Sequence, residues 1–154
     1  MNFHAFQLTS EQRLRLLDAQ TECTVSWRNA EGWPIAAIQS FVWEDDAFWV
    51  TSFRDRPRVA LLAADPRSAV TVSSAGTGLG PDWMVSARTL AHVHGDASTA
   101  EWFYPAFCRR VTSDERSALA LAGVLASQPR AIIELRPQAW NSFDGVRMRR
   151  QSVR

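Results

Sequence analysis

The sequence contains no lysine, because all 17 of its basic residues are arginine. This absence excludes mechanisms that need a lysine amine, including Schiff-base catalysis, an internal pyridoxal aldimine and the phosphate-binding lysine of a P-loop. Arginine stays protonated, and its planar guanidinium binds carboxylate or phosphate through two parallel hydrogen bonds. The chain is therefore equipped to bind oxyanions but not to perform amine chemistry.

Cysteine is scarce as well. The two cysteines, Cys23 and Cys108, lie far apart and form no CxxC motif, and residues 1–9 lack the apolar segment of a secretory signal. We therefore expect a reduced, cytoplasmic protein. Charged residues interrupt every apolar run well before the roughly 18 residues that a membrane-spanning helix requires, so no membrane contact is expected.

Neither sign of charge dominates, since 17 basic residues accompany 16 acidic ones and the formal net charge is +1. With so small a net charge we expect no nucleic-acid partner, and any bound anion must be held by local contacts. A length of 154 residues, 46% of them hydrophobic, suits one compact domain over 1–154. The arginine-rich segment 146–154 is predicted to be a flexible basic tail.

Hydrophobic periodicity predicts an α+β protein built mainly from antiparallel strands. Alternating apolar and polar residues separated by turns are typical of hairpins, and six or seven such strands favour a small barrel. The predicted strands are one starting at Cys23, then 34–43, 47–53, 68–74, 84–96, 130–136 and 139–143.

Short helices are predicted beside these strands. A capping box that starts at Thr9 predicts a helix over 11–19. Pro57 is suited to the first turn of a second helix, which ends two turns later. Two further capping-box matches, starting at Ser98 and Thr112, predict the beginnings of two more helices.

A polar and basic segment joins the strand 47–53 to the helix at Pro57. It contains two hydroxyl side chains followed by three arginines at alternate positions: Thr51, Ser52, Arg54, Arg56 and Arg58. Hydroxyl donors, guanidinium groups and the positive end of a helix dipole together favour a phosphate site. An ordinary solvated turn is the alternative interpretation.

The order of these segments resembles the pyridoxamine 5'-phosphate oxidase-like split-barrel family. The resemblance extends over nearly the entire chain and rests on Gly-Trp-Pro at 32–34, Phe-Trp-Val-Thr-Ser at 48–52, Arg-Pro-Arg-Val at 56–59 and Asp-Pro-Arg-Ser-Ala-Val at 65–70. It implies a predominantly antiparallel six- to seven-stranded split β-barrel with short flanking helices. It also implies a homodimer that binds FMN, or a deazaflavin coenzyme, in two clefts between the subunits, and that oxidises or reduces a small organic substrate.

The resemblance also implies roles for particular residues. Thr51 and Ser52 would lie along the cofactor, Arg56 and Arg58 would bind its phosphate, and Gln39 on the neighbouring strand would hydrogen-bond the edge of the isoalloxazine ring. The family often has lysine where Arg58 stands, which leaves FMN and the deazaflavin open as cofactors. A protein that binds flavin or haem without turnover is the alternative from another functional class.

Trp140 is assigned to the same cofactor site. Seven tryptophans are present, and such a flat side chain suits a wall beside a ring, although core or dimer packing is the alternative. Pyridoxamine-phosphate oxidase itself carries a second basic site late in the chain, near a Trp and an Arg. Trp140 and Arg147 superficially suit that role, but the residues between them do not reproduce the ending of that enzyme, so pyridoxamine phosphate is not predicted as the substrate.

The sequence contains two other groups of reactive side chains, the histidines near residue 93 and the two cysteines. On a strand, His92, His94 and Asp96 would project from one face, as a metal or haem site requires, but an ordinary solvated strand face is favoured and no metal site is predicted. Cys23 is predicted to be a small core residue. Cys108 lies beside two arginines, which could lower its pKa, although no base accompanies it.

Overall fold

The computed structural model describes residues 3–80 and 82–152. After a 3-10 helix over Phe3–Phe6, the elements are α1 Ser10–Ala19, β1 Glu22–Arg28, β2 Pro34–Ser40, β3 Val42–Glu44, β4 Ala47–Phe53, α2 Pro57–Ala64, β5 Arg67–Ser73, β6 Trp83–His94, α3 Ala97–Val111, α4 Glu115–Ser127, β7 Arg130–Asp144 and α5 Gly145–Ser152. Across these residues, no helix has the length and apolar character needed to cross a membrane.

All seven strands belong to one antiparallel sheet with the order β2-β1-β5-β6-β7-β4-β3. Its two outermost strands, β2 and β3, follow each other in the sequence and are separated only by Phe41. The two ends of the sheet must therefore come together, which curls it into a split barrel. The predicted α+β class and the antiparallel barrel of six to seven strands are confirmed.

The predicted single strand 34–43 is wrong, because the chain passes there from one end of the sheet to the other. β2 pairs with β1, whereas β3 pairs with β4. Between them Phe41 is fully buried, and its N–H donates to the carbonyl oxygen of Thr21 at 3.1 Å. A buried aromatic residue in an apolar run gives no local sign that the pairing partner changes.

Residues 130–136 and 139–143 were predicted as two strands, but both belong to the single strand β7. Pro137 does not interrupt β7, because β4 pairs only with 130–135 and the strand has one neighbour, β6, at that point. The pairing with β6 is irregular there as well: Thr89 faces Pro137 and Arg88 faces Ala139, so Gln138 is an extra residue. Proline is tolerated at such edges and bulges.

Helices α3 and α4 are each capped by an aspartate and not by the predicted Ser98 and Thr112. The capping box at Thr9 is present as predicted. For α3 the N-cap is Asp96 and for α4 it is Asp114, each accepting a hydrogen bond from a first-turn backbone N–H. An aspartate two residues away from each predicted cap takes its place, because its carboxylate is an equally good acceptor.

The sheet separates two hydrophobic cores. Phe48 and Val50 of β4 point into the barrel, whereas Ala47 and Trp49 point outward against α3 and α4. We call these two sides the barrel face and the helix face. Because side chains alternate along a strand, each residue of β4 belongs to one face only, and this decides which groups can meet at a site.

Helix α5 covers most of the segment 146–154, for which the sequence predicts a flexible basic tail. Gly145–Ser152 are helical, and residues 153–154 lie outside the described part of the chain. The N–H of Arg147 donates to the Asp144 carboxylate at 2.9 Å, and Arg149 forms an ion pair with Asp82. These contacts join the helix to the end of β7 and to Asp82, the residue before β6.

We expect Phe41→Ala to lower the free energy of unfolding by about 3–5 kcal/mol, the usual cost of deleting a buried phenyl ring. The Phe41 ring is 0% exposed and lies 5.5 Å from the ring of Phe48. Urea unfolding followed by tryptophan fluorescence would measure the loss. Phe53→Ala is the matched control, because Phe53 is 37% exposed. An equal loss in both variants would contradict the closing role of Phe41.

Candidate functional site

The connection between β4 and α2 is a tight turn that leads directly into a helix. The N–H of Arg56 donates to the carbonyl oxygen of Phe53 at 3.1 Å, and the N–H of Val59 donates to that of Arg56 at 3.0 Å. Arg56 is the N-cap of α2 and Pro57 follows it, but no side chain caps the first turn. The positive end of the helix dipole is thus left open to an anion.

Two guanidinium groups lie at this helix start without a carboxylate partner. Arg56 is exposed, whereas Arg58 is half-buried with its guanidinium carbon 5.3 Å from the centroid of the Trp27 ring. Burial lowers the pKa of Arg58 from its usual value, and the charge of Arg56 lowers it further. In the described part of the chain neither arginine forms an ion pair. A bound anion would therefore offset both the burial of Arg58 and its repulsion by Arg56.

Thr51 and Ser52 lie at the end of β4, but on opposite faces of the sheet. The Thr51 hydroxyl is on the helix face, where it donates to the carbonyl oxygen of Ala131 at 3.0 Å and accepts from Nε of Arg130 at 3.2 Å. Ser52 alternates with it and follows Phe48 and Val50 toward the barrel. Both residues are buried, so a ligand on one face contacts at most one of the two hydroxyls.

Gln39 does not lie on a neighbour of β4, as was expected. It belongs to β2, where it faces Cys23 of β1, while the neighbours of β4 are β3 and β7. Its side-chain amide donates to the carbonyl oxygen of Ile38 at 3.0 Å. The expectation was wrong because the single predicted strand 34–43 would have paired Gln39 next to β4, and the break at Phe41 prevents this.

Trp140 is also separated from the turn within one chain. It lies on β7 eight residues beyond Ile132, the partner of Thr51, which corresponds to about 26 Å of extended strand. Its ring lies 5.8 Å from that of Trp43, and the guanidinium carbon of Arg13 lies 4.6 Å from its centroid. Trp140 therefore packs in an aromatic cluster at the other end of the strand.

Of the two histidines of β6, His94 lies against two carboxylates. His94 Nε2 lies 2.9 Å from a Glu134 oxygen, and its Nδ1 lies 3.6 Å from Asp96. His92 and His94 share one face, with ring centroids 4.4 Å apart, but Asp96 is beyond the strand and caps α3. In residues 3–80 and 82–152, no group of three or more His, Cys, Asp or Glu side chains could hold a metal ion.

A cavity lies beside the turn between β4 and α2, and the sequence interpretation did not predict it. It has a volume of about 380 Å³ and lies between the helix face and helices α3 and α4; we call it the helix-face cavity. Arg54 lines it together with Arg130, because Nε of Arg54 donates to the Arg130 carbonyl oxygen at 2.8 Å. The alternate spacing suggested that Arg54 acts with Arg56 and Arg58, and a partner 76 residues away left no local signal.

Both cysteines are buried and free. Burial, reinforced by the negative charge of Glu22, raises the pKa of Cys23 to about 12. Burial also raises the pKa of Cys108, which is the opposite of the lowered value that its neighbouring arginines suggested. Cys23 is thus a core residue as predicted, and neither thiol has the thiolate character that a nucleophile needs.

We expect neither thiol to react with a disulfide reagent such as dithiobis-nitrobenzoate in the native protein at pH 8, because the reactive thiolate is suppressed and shielded. In guanidinium chloride both should react. Absorbance of the released thionitrobenzoate measures the stoichiometry. Rapid labelling of the native protein, traced by mass spectrometry to Cys23 or Cys108, would contradict the burial described.

Comparison with known proteins identifies the fold. No protein-family model matches the sequence, and no curated protein sequence matches it. Among solved structures, a conserved hypothetical protein of Mycobacterium tuberculosis matches with a TM-score of 0.78 and 14% identity, over 90% of this chain and 86% of that one. An F420 reductase matches with a TM-score of 0.63 and 20% identity, over 82% and 94%.

A third solved structure carries the family name suggested by the sequence. It is a Clostridium acetobutylicum protein related to general stress protein 26, of the pyridoxinephosphate oxidase family, with a TM-score of 0.65 and 10% identity over 88% of each chain. At such identities the likeness concerns the fold. The resemblance read from the sequence is therefore confirmed at the level of the split-barrel fold.

Proposed function

We propose that this protein is an oxidoreductase that binds a flavin or deazaflavin coenzyme, with FMN as the cofactor and a small organic molecule as substrate. The observation that carries the proposal is the pair of uncompensated guanidinium groups, Arg56 and Arg58, at the open start of α2. A phosphate monoester would supply the negative charge and the acceptor oxygens that Arg56, Arg58 and the first turn of α2 have no partner for.

The residues of the turn fit the phosphate of such a cofactor. Arg56 is exposed and can turn toward a ligand, whereas Arg58 is already oriented by its contact with Trp27. The first turn of α2 adds its backbone dipole to the two charges. When bound, the ring system would supply hydride or electron transfer, and the chain would supply binding, orientation and charge.

A second copy of the chain is part of this proposal, because one chain does not bring all predicted cofactor residues together. Large apolar side chains are exposed along strand β2, at one end of the sheet order: Ile38 is 69% exposed, and Trp33, just before the strand, is 66% exposed. An exposed apolar edge strand favours association. A homodimer that covers β2 would give Gln39 a new neighbour and form the ligand clefts between subunits.

A cytoplasmic location remains part of the proposal. Cys23 and Cys108 are both free, which supports residence in a reducing compartment, where thiols persist without forming disulfides.

A deazaflavin is the second candidate cofactor, and the fold shared with an F420 reductase favours it. Arg58 does not distinguish the two cofactors, because both carry phosphate groups that a guanidinium can bind. The side chains around the flavin or deazaflavin ring must therefore make the distinction.

We expect the double variant Arg56→Ala/Arg58→Ala to bind FMN roughly 100-fold more weakly than the unchanged protein, because two charge-assisted contacts are lost. Quenching of flavin fluorescence measures the affinity, and light scattering measures whether the dimer persists. The control variant Arg109→Ala/Arg116→Ala removes the same charge from the ends of α3 and α4. Unchanged FMN affinity in the first variant would contradict the proposed phosphate contacts.

Titration of desalted protein with FMN and with a deazaflavin coenzyme should separate the two cofactors. We expect saturable binding of FMN with a two-banded visible spectrum that scales with protein concentration. Binding of the deazaflavin alone would transfer the proposal to the second cofactor. If neither binds, the oxidoreductase proposal is wrong and only the fold remains.

A further inference from the structure

The helix-face cavity has the size of a small-molecule site. Its volume of about 380 Å³ falls within the range of known ligand pockets. The ends of β6 and β7 form its floor, and α3 and the end of α4 form its walls. We propose that this cavity binds a small organic carboxylate through Arg54 and Arg130, at a site separate from the proposed cofactor phosphate site.

Arg54 is an exposed residue at the cavity, and one hydrogen bond anchors its guanidinium while most of its donors stay free. Its Nε donates to the Arg130 carbonyl oxygen at 2.8 Å, and within residues 3–80 and 82–152 its Nη groups have no hydrogen-bond acceptor. A glycine makes room for this position, because a Cβ built at Gly95 would lie 3.3 Å from Nη2 of Arg54. The guanidinium is therefore held in place with its outer edge unpaired.

Arg130 is held even more firmly. Its Nε donates to Thr51 at 3.2 Å and its Nη1 to the side chain of Gln128 at 3.4 Å, while the guanidinium carbon lies 4.4 Å from the centroid of Phe53. Neither Arg130 nor Arg54 forms an ion pair with any residue that the structure describes. Two guanidinium groups without an ion pair in one cavity can bind an anion through their free donors.

The rest of the lining indicates a compact ligand with an apolar body. Tyr104 is 4% exposed, and its hydroxyl forms no hydrogen bond with a described residue. Ala100, Ala126 and Ile132 supply small apolar surfaces. Because Tyr104 lines the cavity, its hydroxyl is available to hydrogen-bond a polar atom of the ligand.

The acidic residues of the cavity favour a carboxylate over a phosphate. Asp96 accepts hydrogen bonds from Ser98 and from the backbone N–H of Thr99, which lower the pKa of Asp96 and keep it ionised. Glu101 also lines the cavity. Two negative charges beside two positive ones tolerate a monoanion but repel a dianion.

Benzoate is a suitable probe, because it joins one carboxylate to a small apolar ring. Isothermal titration calorimetry should show saturable binding to the unchanged protein, with inorganic phosphate binding more weakly. Arg54→Gln should weaken benzoate binding about tenfold or more, since a charged hydrogen-bond donor is lost. Arg56→Gln is the matched control: it removes the same charge from the same turn but outside the cavity, and should leave benzoate affinity unchanged.

Tyr104→Phe removes only the hydroxyl and should weaken benzoate binding by a smaller factor without unfolding the protein. No saturable benzoate binding, tighter binding of phosphate than of benzoate, or equal losses in Arg54→Gln and Arg56→Gln would each overturn the proposal.

The same variants distinguish the proposed carboxylate site from the proposed FMN site. Arg54→Gln should leave FMN affinity unchanged, and FMN should not displace benzoate. If FMN competes with benzoate and Arg54→Gln weakens both, the cavity is where the cofactor phosphate binds, and a separate carboxylate site is excluded. If FMN does not bind at all while benzoate does, the carboxylate site stands and the cofactor proposal fails.

Discussion

The closure of the sheet at Phe41 is the constraint on which the rest of the molecule depends. Strands β2 and β3 lie at opposite ends of the sheet order, yet one residue joins them. The sheet can satisfy both pairings only by curling, which creates an enclosed barrel face and an outer helix face. Arg110 of α3 reinforces this point: it donates to the carbonyl oxygens of Leu17 and Gln20 at the end of α1, and it lies 5.9 Å from the Phe41 ring.

The curled sheet also explains why three arginines at alternate positions do not act together. Arg54 directly follows β4, and its hydrogen bond to the Arg130 carbonyl oxygen holds it at the helix-face cavity. Arg56 and Arg58 follow the turn into α2, which packs on the barrel core through Val59. One short segment thus supplies positive charge to two places. The two anion sites proposed above therefore draw on different arginines of the same segment.

Local signals in the sequence predicted the elements well, and long-range pairing decided the errors. Strand β4 over Ala47–Phe53 and the capping box at Thr9 follow from neighbouring residues alone, and both are present. The break at Phe41 depends on which strands pair, and the continuity of β7 through Pro137 depends on where β4 ends. Within the candidate site, the basic turn is a local feature, whereas the helix-face cavity joins segments far apart in the sequence.

The absence of lysine acquires a structural meaning from the contacts of the arginines. In the described residues, guanidinium groups lie over aromatic rings in the pairs Arg13–Trp140, Arg15–Trp83, Arg58–Trp27, Arg110–Phe41 and Arg130–Phe53. A planar guanidinium can stack on a ring while its edge donates hydrogen bonds, which a lysine ammonium cannot do with the same geometry. Arg130 uses this property fully, because its face meets Phe53 while its edge binds Thr51 and Gln128. Positive charge in this protein is therefore oriented by aromatic packing, and oriented charge is what recognition of a planar carboxylate or of a phosphate requires.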